Sequence, residues 1–239
     1  MIAEGGRAVY GAAVGILMLE ARFPRIPGDM GNALTWPFPV LYRVVRGASP
    51  ERVVRRRAEG LLEAFIAAGR ELVADGATAI TTNCGFLSLF QQELAAALEV
   101  PVASSALMMA PMIERVLPPG RRVGILTVSA ADLSPEHLAK AGVPGGTPVA
   151  GVDPGGELAR VILGDLPRLD VTAARSDMTA AATALVAGHP EVGAILLECT
   201  NMAPYAADVQ VATGRPVFSM VDLVCWLHAA VSPRRFPSG

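Results

Sequence analysis

The chain has 239 residues, of which 52% are hydrophobic and only 18% are charged, and its formal net charge is −2. This composition is too apolar for a disordered chain, and with 5% aromatic residues and no basic excess it argues against nucleic-acid binding. No uninterrupted apolar run of about 18 residues appears, so we expect no membrane span. Low charge with a high apolar content predicts an oligomer that covers part of its surface, and we expect a homodimer.

The three cysteines are scattered, and none falls in a CxxC pair. They do not form a disulfide framework, so we expect a reduced, cytoplasmic protein. His137, His189 and His228 are not spaced as metal ligands. The sequence therefore predicts no metal site.

The chain contains an internal repeat. The tetrapeptide VGIL occurs at residues 14–17 and 123–126, and each copy is typical of a short buried strand. An apolar run ending in a cysteine follows each copy, first at Cys84 and then at Cys199. The pattern C-x16-P-V-x-S then occurs after both cysteines. The same features in the same order predict two duplicated halves.

Helical segments separate the predicted strands. Ser49, Pro50 and Glu51 form a typical helix start, and we predict that this helix continues to Gly76. The other predicted helices span 86–98, 106–117, 134–142, 155–165, 172–187, 202–212 and 221–231. Alternating strands and helices predict an α/β fold with parallel sheets and helices on both faces.

We therefore predict two pseudo-symmetric lobes, each with a parallel sheet of about four strands flanked by helices. Residues 1–112 and 219–239 form the first lobe, and residues 113–218 form the second. Ligands of such sheets bind at the carboxyl ends of the strands, where both Cys84 and Cys199 are expected. A pseudo-twofold axis would bring the two cysteines face to face across the interlobe cleft, which is the predicted active site.

Two facing thiols suit proton transfer. A helix N-terminus lowers the pKa of a nearby cysteine and binds carboxylates. One thiolate can then remove a proton from a substrate carbon while the other thiol donates one to the opposite face. This predicts a racemase or isomerase that acts next to a carboxylate or carbonyl without a cofactor. Residues beside the cysteines are the candidate substrate donors: Asn83, Gly85, Thr200 and Asn201.

The motifs TTNCGF, VGILTVS and LECTNM, with the paired P-V-x-S repeats, resemble the aspartate/glutamate racemase superfamily over nearly the whole chain. These are cofactor-independent two-cysteine enzymes, and they include hydantoin racemases, maleate isomerases and arylmalonate decarboxylases. The resemblance implies that Cys84 and Cys199 are the acid–base pair. It also implies contacts to a substrate carboxylate from Thr200 and from the turn that contains Thr127 and Ser129.

A Pro- and Gly-rich loop at residues 22–39 follows the first strand and should overhang the cleft. Arg25 is a candidate partner for a second substrate carboxylate, and Asn32 could offer an amide. The alternative is a rigid surface or subunit-contact loop. Glu198 either tunes Cys199 or is a surface acid at a strand end, and Cys225 is interpreted as a packing residue.

Two other functions fit the same pattern. One is decarboxylation of a malonate-type acid, with one thiol reprotonating the carbanion. The other is a non-catalytic protein that binds small acids, because two lobes around a cleft serve either purpose. In every case the expected partner is a small carboxylate-bearing molecule, whose identity the sequence leaves open.

Overall fold

The apolar runs assigned to strands form two parallel sheets in the computed structural model, which describes residues 4–236. The first sheet has the order β2-β1-β3-β4. Its strands are β1 (Val14–Leu19), β2 (Val40–Val45), β3 (Ala79–Thr82) and β4 (Val102–Ala103). The two central strands are fully buried because helices cover both faces of the sheet.

The second sheet repeats this arrangement with the order β6-β5-β7-β8. Its strands are β5 (Arg122–Thr127), β6 (Val149–Gly151), β7 (Val192–Leu197) and β8 (Val217–Phe218). The registers also repeat: Leu17 pairs with Thr82 in the first sheet, and Leu126 pairs with Leu197 in the second. The predicted α/β fold with two four-stranded parallel sheets is confirmed.

Helices connect all of these strands. The first half contains α1 (Pro50–Val54), α2 (Leu62–Ala74), α3 (Gln91–Leu98) and α4 (Ala110–Val116). The second half contains α5 (Pro135–Lys140), α6 (Glu157–Leu163), α7 (Val171–Gly188), α8 (Ala206–Thr213) and α9 (Met220–Val231). Short 3₁₀-helices span Ala33–Thr35, Gly85–Phe90, Ala106–Met109 and Thr200–Tyr205.

The predicted single helix from Ser49 to Gly76 is wrong. It is interrupted between α1 and α2, where Arg57 and Ala58 adopt φ angles of 54° and 55°. A left-handed backbone cannot continue a right-handed helix. Ala58 is almost fully buried, so its packing maintains this conformation against its local cost.

Two helices connect the lobes. The last helix, α9, follows β8 of the second sheet but packs against β1, β3 and β4 of the first. In the other direction, α4 follows β4 of the first sheet and packs against β5 of the second. The division at residues 112 and 219 stays a prediction, and its outermost residues, 1–3 and 237–239, lie outside the described part of the chain. Within residues 4–236, none of the helices combines the length and apolarity that a membrane crossing requires.

Candidate active site between the lobes

Each cysteine lies at the carboxyl edge of its sheet. Cys84 is the second residue after β3 and is the N-cap of the 3₁₀-helix Gly85–Phe90. Cys199 is the second residue after β7 and is the N-cap of the 3₁₀-helix Thr200–Tyr205. The duplicated strand–turn–helix unit therefore gives both thiols the same structural position.

The two cysteine turns are in direct contact. The Thr200 hydroxyl donates a hydrogen bond of 2.6 Å to the backbone oxygen of Asn83, and both groups are buried. Gly85 packs directly against Glu198, so a Cβ atom at Gly85 would lie 2.5 Å from the Glu198 backbone oxygen and closer still to its carboxylate. Only glycine allows the two turns to approach this closely.

Cys84 and Cys199 line one cavity of about 20 Å³ at this contact, which is enough space for roughly one water molecule. Cys199 is buried and Cys84 is partly buried. The walls are mainly apolar. The remaining lining residues are Leu19, Phe23, Pro50, Val54, Asn83, Gly85, Phe86, Val128, Ile162, Glu198 and Asn201.

Glu198 is a fully buried acid in this apolar cavity. The Thr127 hydroxyl donates a 2.6 Å hydrogen bond to Glu198 Oε2, while Glu198 Oε1 has no hydrogen-bond partner within residues 4–236. Burial raises the pKa of Glu198 to about 7, and the hydrogen bond from Thr127 acts in the opposite direction. The acid is thus poised between its neutral and charged forms near neutral pH.

Asn83 occupies the equivalent position before the first cysteine. Its Oδ1 accepts a 2.7 Å hydrogen bond from the backbone N–H of Leu19. Its Nδ2 is buried and, like Glu198 Oε1, lacks a hydrogen-bond partner in the part of the chain that the structure describes. Buried polar groups are rarely left unpaired, so both atoms are candidates for contact with a ligand.

The expectation that helix N-termini lower the thiol pKa values is wrong for this closed cavity. Burial raises the pKa of Cys84 and of Cys199, and the negative charge of Glu198 acts in the same direction. The backbone N–H groups of Phe86 and Leu87 oppose the effect at Cys84 but are outweighed. Desolvation dominates because short 3₁₀-helices supply few aligned dipoles.

The loop at residues 22–39 covers the cleft through a buried polar chain. Arg25 Nη1 lies 2.9 Å from Asp29 Oδ1, and Asp29 Oδ2 accepts a hydrogen bond from Asn201 Nδ2. Asn201 Oδ1 in turn lies 3.5 Å from the Cys199 sulfur. Sequence reasoning missed Asp29, which is 2% exposed and connects the loop to the second cysteine turn.

The family model of Asp/Glu/hydantoin racemases matches residues 68–228, which include both cysteine turns.

The chain belongs to the Asp/Glu/hydantoin racemase family.

Solved structures of a decarboxylase and a racemase have the same fold at low sequence identity. Unliganded arylmalonate decarboxylase superposes with a TM-score of 0.60 and 17% identity, covering 95% of this chain and 96% of that one. The aspartate racemase of Picrophilus torridus gives a TM-score of 0.57 and 15% identity, covering 95% and 96% of the two chains.

The relatives found by sequence similarity are named as lyases, not as racemases. A dimethylsulfoniopropionate lyase of Durusdinium sp. clade D is 28% identical over 88% of this chain and 72% of that protein. Dimethylsulfoniopropionate lyase 5 of Emiliania huxleyi is 28% identical over 91% of this chain, which spans only 45% of that relative's length. The proteins that this chain resembles therefore carry the names of lyases, racemases and a decarboxylase.

Eight residues of this racemase-family member were predicted to bind substrate. Three of them, Asn83, Gly85 and Asn201, line the cavity with the cysteines. The other five do not line it. Arg25 pairs with Asp29, and the Thr127 and Thr200 hydroxyls bind Glu198 and Asn83. Asn32 caps the 3₁₀-helix Ala33–Thr35 and donates 2.8 Å to Arg25 O, while the Ser129 hydroxyl donates 2.6 Å to Asp132.

Proposed function

We propose that the chain is an enzyme that uses Cys84 and Cys199 to transfer a proton at a carbon next to a carboxylate. The observation that supports this is the single buried cavity that both thiols line, each at the start of a helix that follows a strand. A pair of acid–base groups on one small cavity is what proton transfer to and from carbon needs.

The first candidate reaction is a β-elimination, as in dimethylsulfoniopropionate lyases. A thiolate removes the proton from the carbon next to the carboxylate, and the C–H electron pair forms a carbon–carbon double bond. The neighbouring C–S bond breaks, and its electron pair leaves with the sulfur. The products are acrylate and dimethyl sulfide, and the proton stays on the cysteine until solvent removes it.

Two features of the cavity favour a cationic substrate of this kind. Phe23 and Phe86 line the wall, and aromatic faces attract methylated cations; the Arg25 guanidinium covers one face of Phe23, with its Cζ 4.7 Å from the ring centroid. A positive charge beside Cys84 and Cys199 also favours their thiolates, which offsets the burial that raises both thiol pKa values. Apolar walls, two sulfurs and a carboxylic acid thus suit a small molecule with a carboxylate at one end and an onium group at the other.

Racemisation or isomerisation is the second candidate, because elimination of a neutral leaving group needs only one base. The second thiol on the same cavity is the feature that a stereoinverting reaction would use. Two further alternatives use the same cavity. Decarboxylation of a malonate-type acid releases CO₂, and binding without turnover forms no product.

One experiment in D₂O separates these reactions. The protein is incubated with dimethylsulfoniopropionate, L- and D-aspartate, a hydantoin and phenylmalonate, and each mixture is followed by NMR. Acrylate and dimethyl sulfide indicate the lyase, loss of an α-proton signal with an intact skeleton indicates the racemase, and loss of CO₂ indicates the decarboxylase.

Cysteine variants test the mechanism. In a racemase, Cys84→Ser and Cys199→Ser should each lower turnover by about 10²- to 10⁴-fold, the usual contribution of a general acid or base, whereas a lyase should lose turnover by that factor in the variant that lacks its single base. Cys225→Ser, on α9 outside the cavity, is the matched control and should keep wild-type turnover. Wild-type rates in both cavity variants would refute the proposed function.

A further inference from the structure

The two residues that precede the cysteines hold the unpartnered polar atoms of the cavity. Asn83 is 3% exposed and Glu198 is 0% exposed, and both line the cavity. Asn83 Nδ2 and Glu198 Oε1 lack hydrogen-bond partners within residues 4–236. A buried polar atom without a hydrogen-bond partner destabilises the fold, so two of them beside two thiols point to a ligand that satisfies both.

The duplication places these two atoms in related positions. The backbone N–H of Asn83 donates to Leu17 O at 3.0 Å, and that of Glu198 donates to Leu126 O at 2.9 Å. Leu17 and Leu126 are equivalent residues of the two VGIL strands. The amide of Asn83 and the acid of Glu198 therefore approach the cavity from opposite lobes.

Each side chain is fixed by its other polar atom. Leu19 N–H holds Asn83 Oδ1 at 2.7 Å, and the Thr127 hydroxyl holds Glu198 Oε2 at 2.6 Å. These bonds assign the Asn83 amide nitrogen as the free atom and leave Glu198 Oε1 as the free oxygen. Two oriented atoms from opposite sides match the two oxygens of one carboxylate.

We propose that Asn83 Nδ2 and a protonated Glu198 Oε1 each donate a hydrogen bond to one oxygen of the substrate carboxylate. Glu198 is then a substrate-binding residue that works in its neutral form. This inference rests on the proposed function, which supplies a carboxylate-bearing substrate.

The surroundings of Glu198 support the neutral form. The titratable and charged groups around the site are the thiols of Cys84 and Cys199 and the ion pair between Arg25 and Asp29. Arg25 pairs with Asp29 through Nη1, and Glu198 Oε1 has no hydrogen-bond partner, cationic or neutral, within residues 4–236. Burial acts on Glu198 in the same direction, since it raises the pKa of the acid to about 7.

Neutral donors also suit the chemistry. Removal of the α-proton moves negative charge onto the carboxylate oxygens, so donors that face those oxygens bind the transition state more strongly than the substrate. A charged Glu198 would instead repel the carboxylate and raise the pKa of both thiols. The proton on Glu198 stays there throughout the reaction.

Propionate binding tests the inference without requiring turnover. NMR titration of the wild type should give a Kd that rises about tenfold for each pH unit above roughly 7, because ionised Glu198 repels the ligand. Glu198→Gln carries an uncharged donor of the same shape, so its Kd at pH 6 should be only about threefold higher and should not change up to pH 8.5. Glu198→Ala and Asn83→Ala should each weaken binding about tenfold or more at pH 6.

Two results would overturn the inference: a Glu198→Gln variant that keeps the wild-type weakening at alkaline pH, or a wild type that does not bind propionate at any pH. Circular dichroism shows whether the Glu198→Ala variant folds. If that variant does not fold, the isosteric Glu198→Gln variant still tests the inference. Thiol-dependent turnover with no pH-dependent propionate binding would refute the role of Glu198 and leave the proposed function intact. Binding of propionate with the expected pH dependence, but without thiol-dependent turnover of any tested compound, would refute the proposed function and leave the carboxylate site intact.

Discussion

Gly85 is the residue at which the two halves of the molecule come closest. Its α-carbon packs against the carboxylate and the backbone oxygen of Glu198, which belongs to the opposite lobe. The backbone conformation at Gly85 is not left-handed, so the requirement for glycine comes from space alone. A side chain at this position would separate the two cysteine turns.

Gly85→Ala tests this contact. The new methyl group would lie 2.5 Å from a backbone oxygen that cannot rotate away, so we expect about 1–3 kcal/mol of lost free energy of unfolding, as overpacking usually costs. Turnover should fall with it, because the thiols would separate. Urea denaturation and the D₂O assay measure the two effects.

Gly188→Ala is the matched control for that substitution. Gly188 ends α7, and no atom would lie within 4 Å of its new Cβ. Alanine there should be neutral or stabilising by up to about 1 kcal/mol. Equal stabilities of the Gly85 and Gly188 variants would show that the lobes tolerate a wider gap.

At the scale of elements, α1 and α6 close the cavity from opposite lobes. Pro50 and Val54 of α1 and Ile162 of α6 line its wall, and the two helices contact each other. Outside them lies an open groove of about 500 Å³, which Arg55, Asp132 and Arg160 line, and Arg160 already pairs with Glu157. A substrate that reaches the thiols from this groove has to pass between α1 and α6, and Arg55 would attract its carboxylate.

Ile162→Ala should open this wall. The lost side chain should cost about 2–4 kcal/mol of unfolding free energy and leave extra space beside the cysteines. We expect iodoacetamide to label Cys84 and Cys199 about threefold to tenfold faster in this variant, since local opening costs less when packing is lost. Val211→Ala on α8 is the control, because Val211 is 87% exposed. Equal labelling rates in both variants would contradict access past α6.

These elements also show what the sequence could and could not predict. The internal repeat located three strands in each lobe and both cysteines, because the same motifs recur in the same order in both halves of the sequence. It did not locate the edge strands β2 and β6, which are partly exposed and carry no matching motif. The interruption at Arg57 and Ala58 was also missed, since neither residue signals a left-handed turn and only packing imposes it.

The sequence likewise located only those residues of the cavity that lie next to a repeated motif. Asn83, Gly85 and Asn201 were found because they adjoin the cysteines in sequence, whereas Asp29 and Phe23 come from a loop without periodicity. Arg25 was predicted to bind substrate; its Nη1 pairs with the internal acid Asp29, and its contact with a substrate stays a prediction. The sequence does not show that Arg25 and Asp29 form an ion pair with each other inside the loop.

For the molecule as a whole, the cavity implies that the lobes must move. A space of about 20 Å³ cannot hold a substrate with a carboxylate and a leaving group, so binding requires a more open form. Among the described residues, three ion pairs join the lobes around the cleft: Arg22–Asp165, Arg57–Glu136 and Lys140–Glu93. Exposed pairs of this kind are each worth about 0–1 kcal/mol, so they add little to the buried contacts that opening of the cleft has to break.

Asp165 holds the cleft loop more firmly than an ion pair alone. Its Oδ1 accepts hydrogen bonds from the backbone N–H groups of Arg22 and Phe23, at 2.5 and 3.3 Å, and its Oδ2 lies 3.3 Å from Arg22 Nε. Phe23 is itself part of the cavity wall. Loss of this carboxylate should therefore favour the open form.

Asp165→Gly removes the carboxylate and suits the φ of 50° at this position, so the turn itself should be preserved. We expect hydrogen exchange in the 3₁₀-helices Gly85–Phe90 and Thr200–Tyr205 to become about threefold to tenfold faster, because a contact between the lobes is lost. Asp208→Ala breaks a comparable ion pair with Arg175, 3.0 Å long, that lies within the second lobe. That control should leave exchange in both helices at the wild-type rate. If the two variants exchange alike, the lobes do not open at this contact, and access to the thiols must arise through α1 and α6 alone.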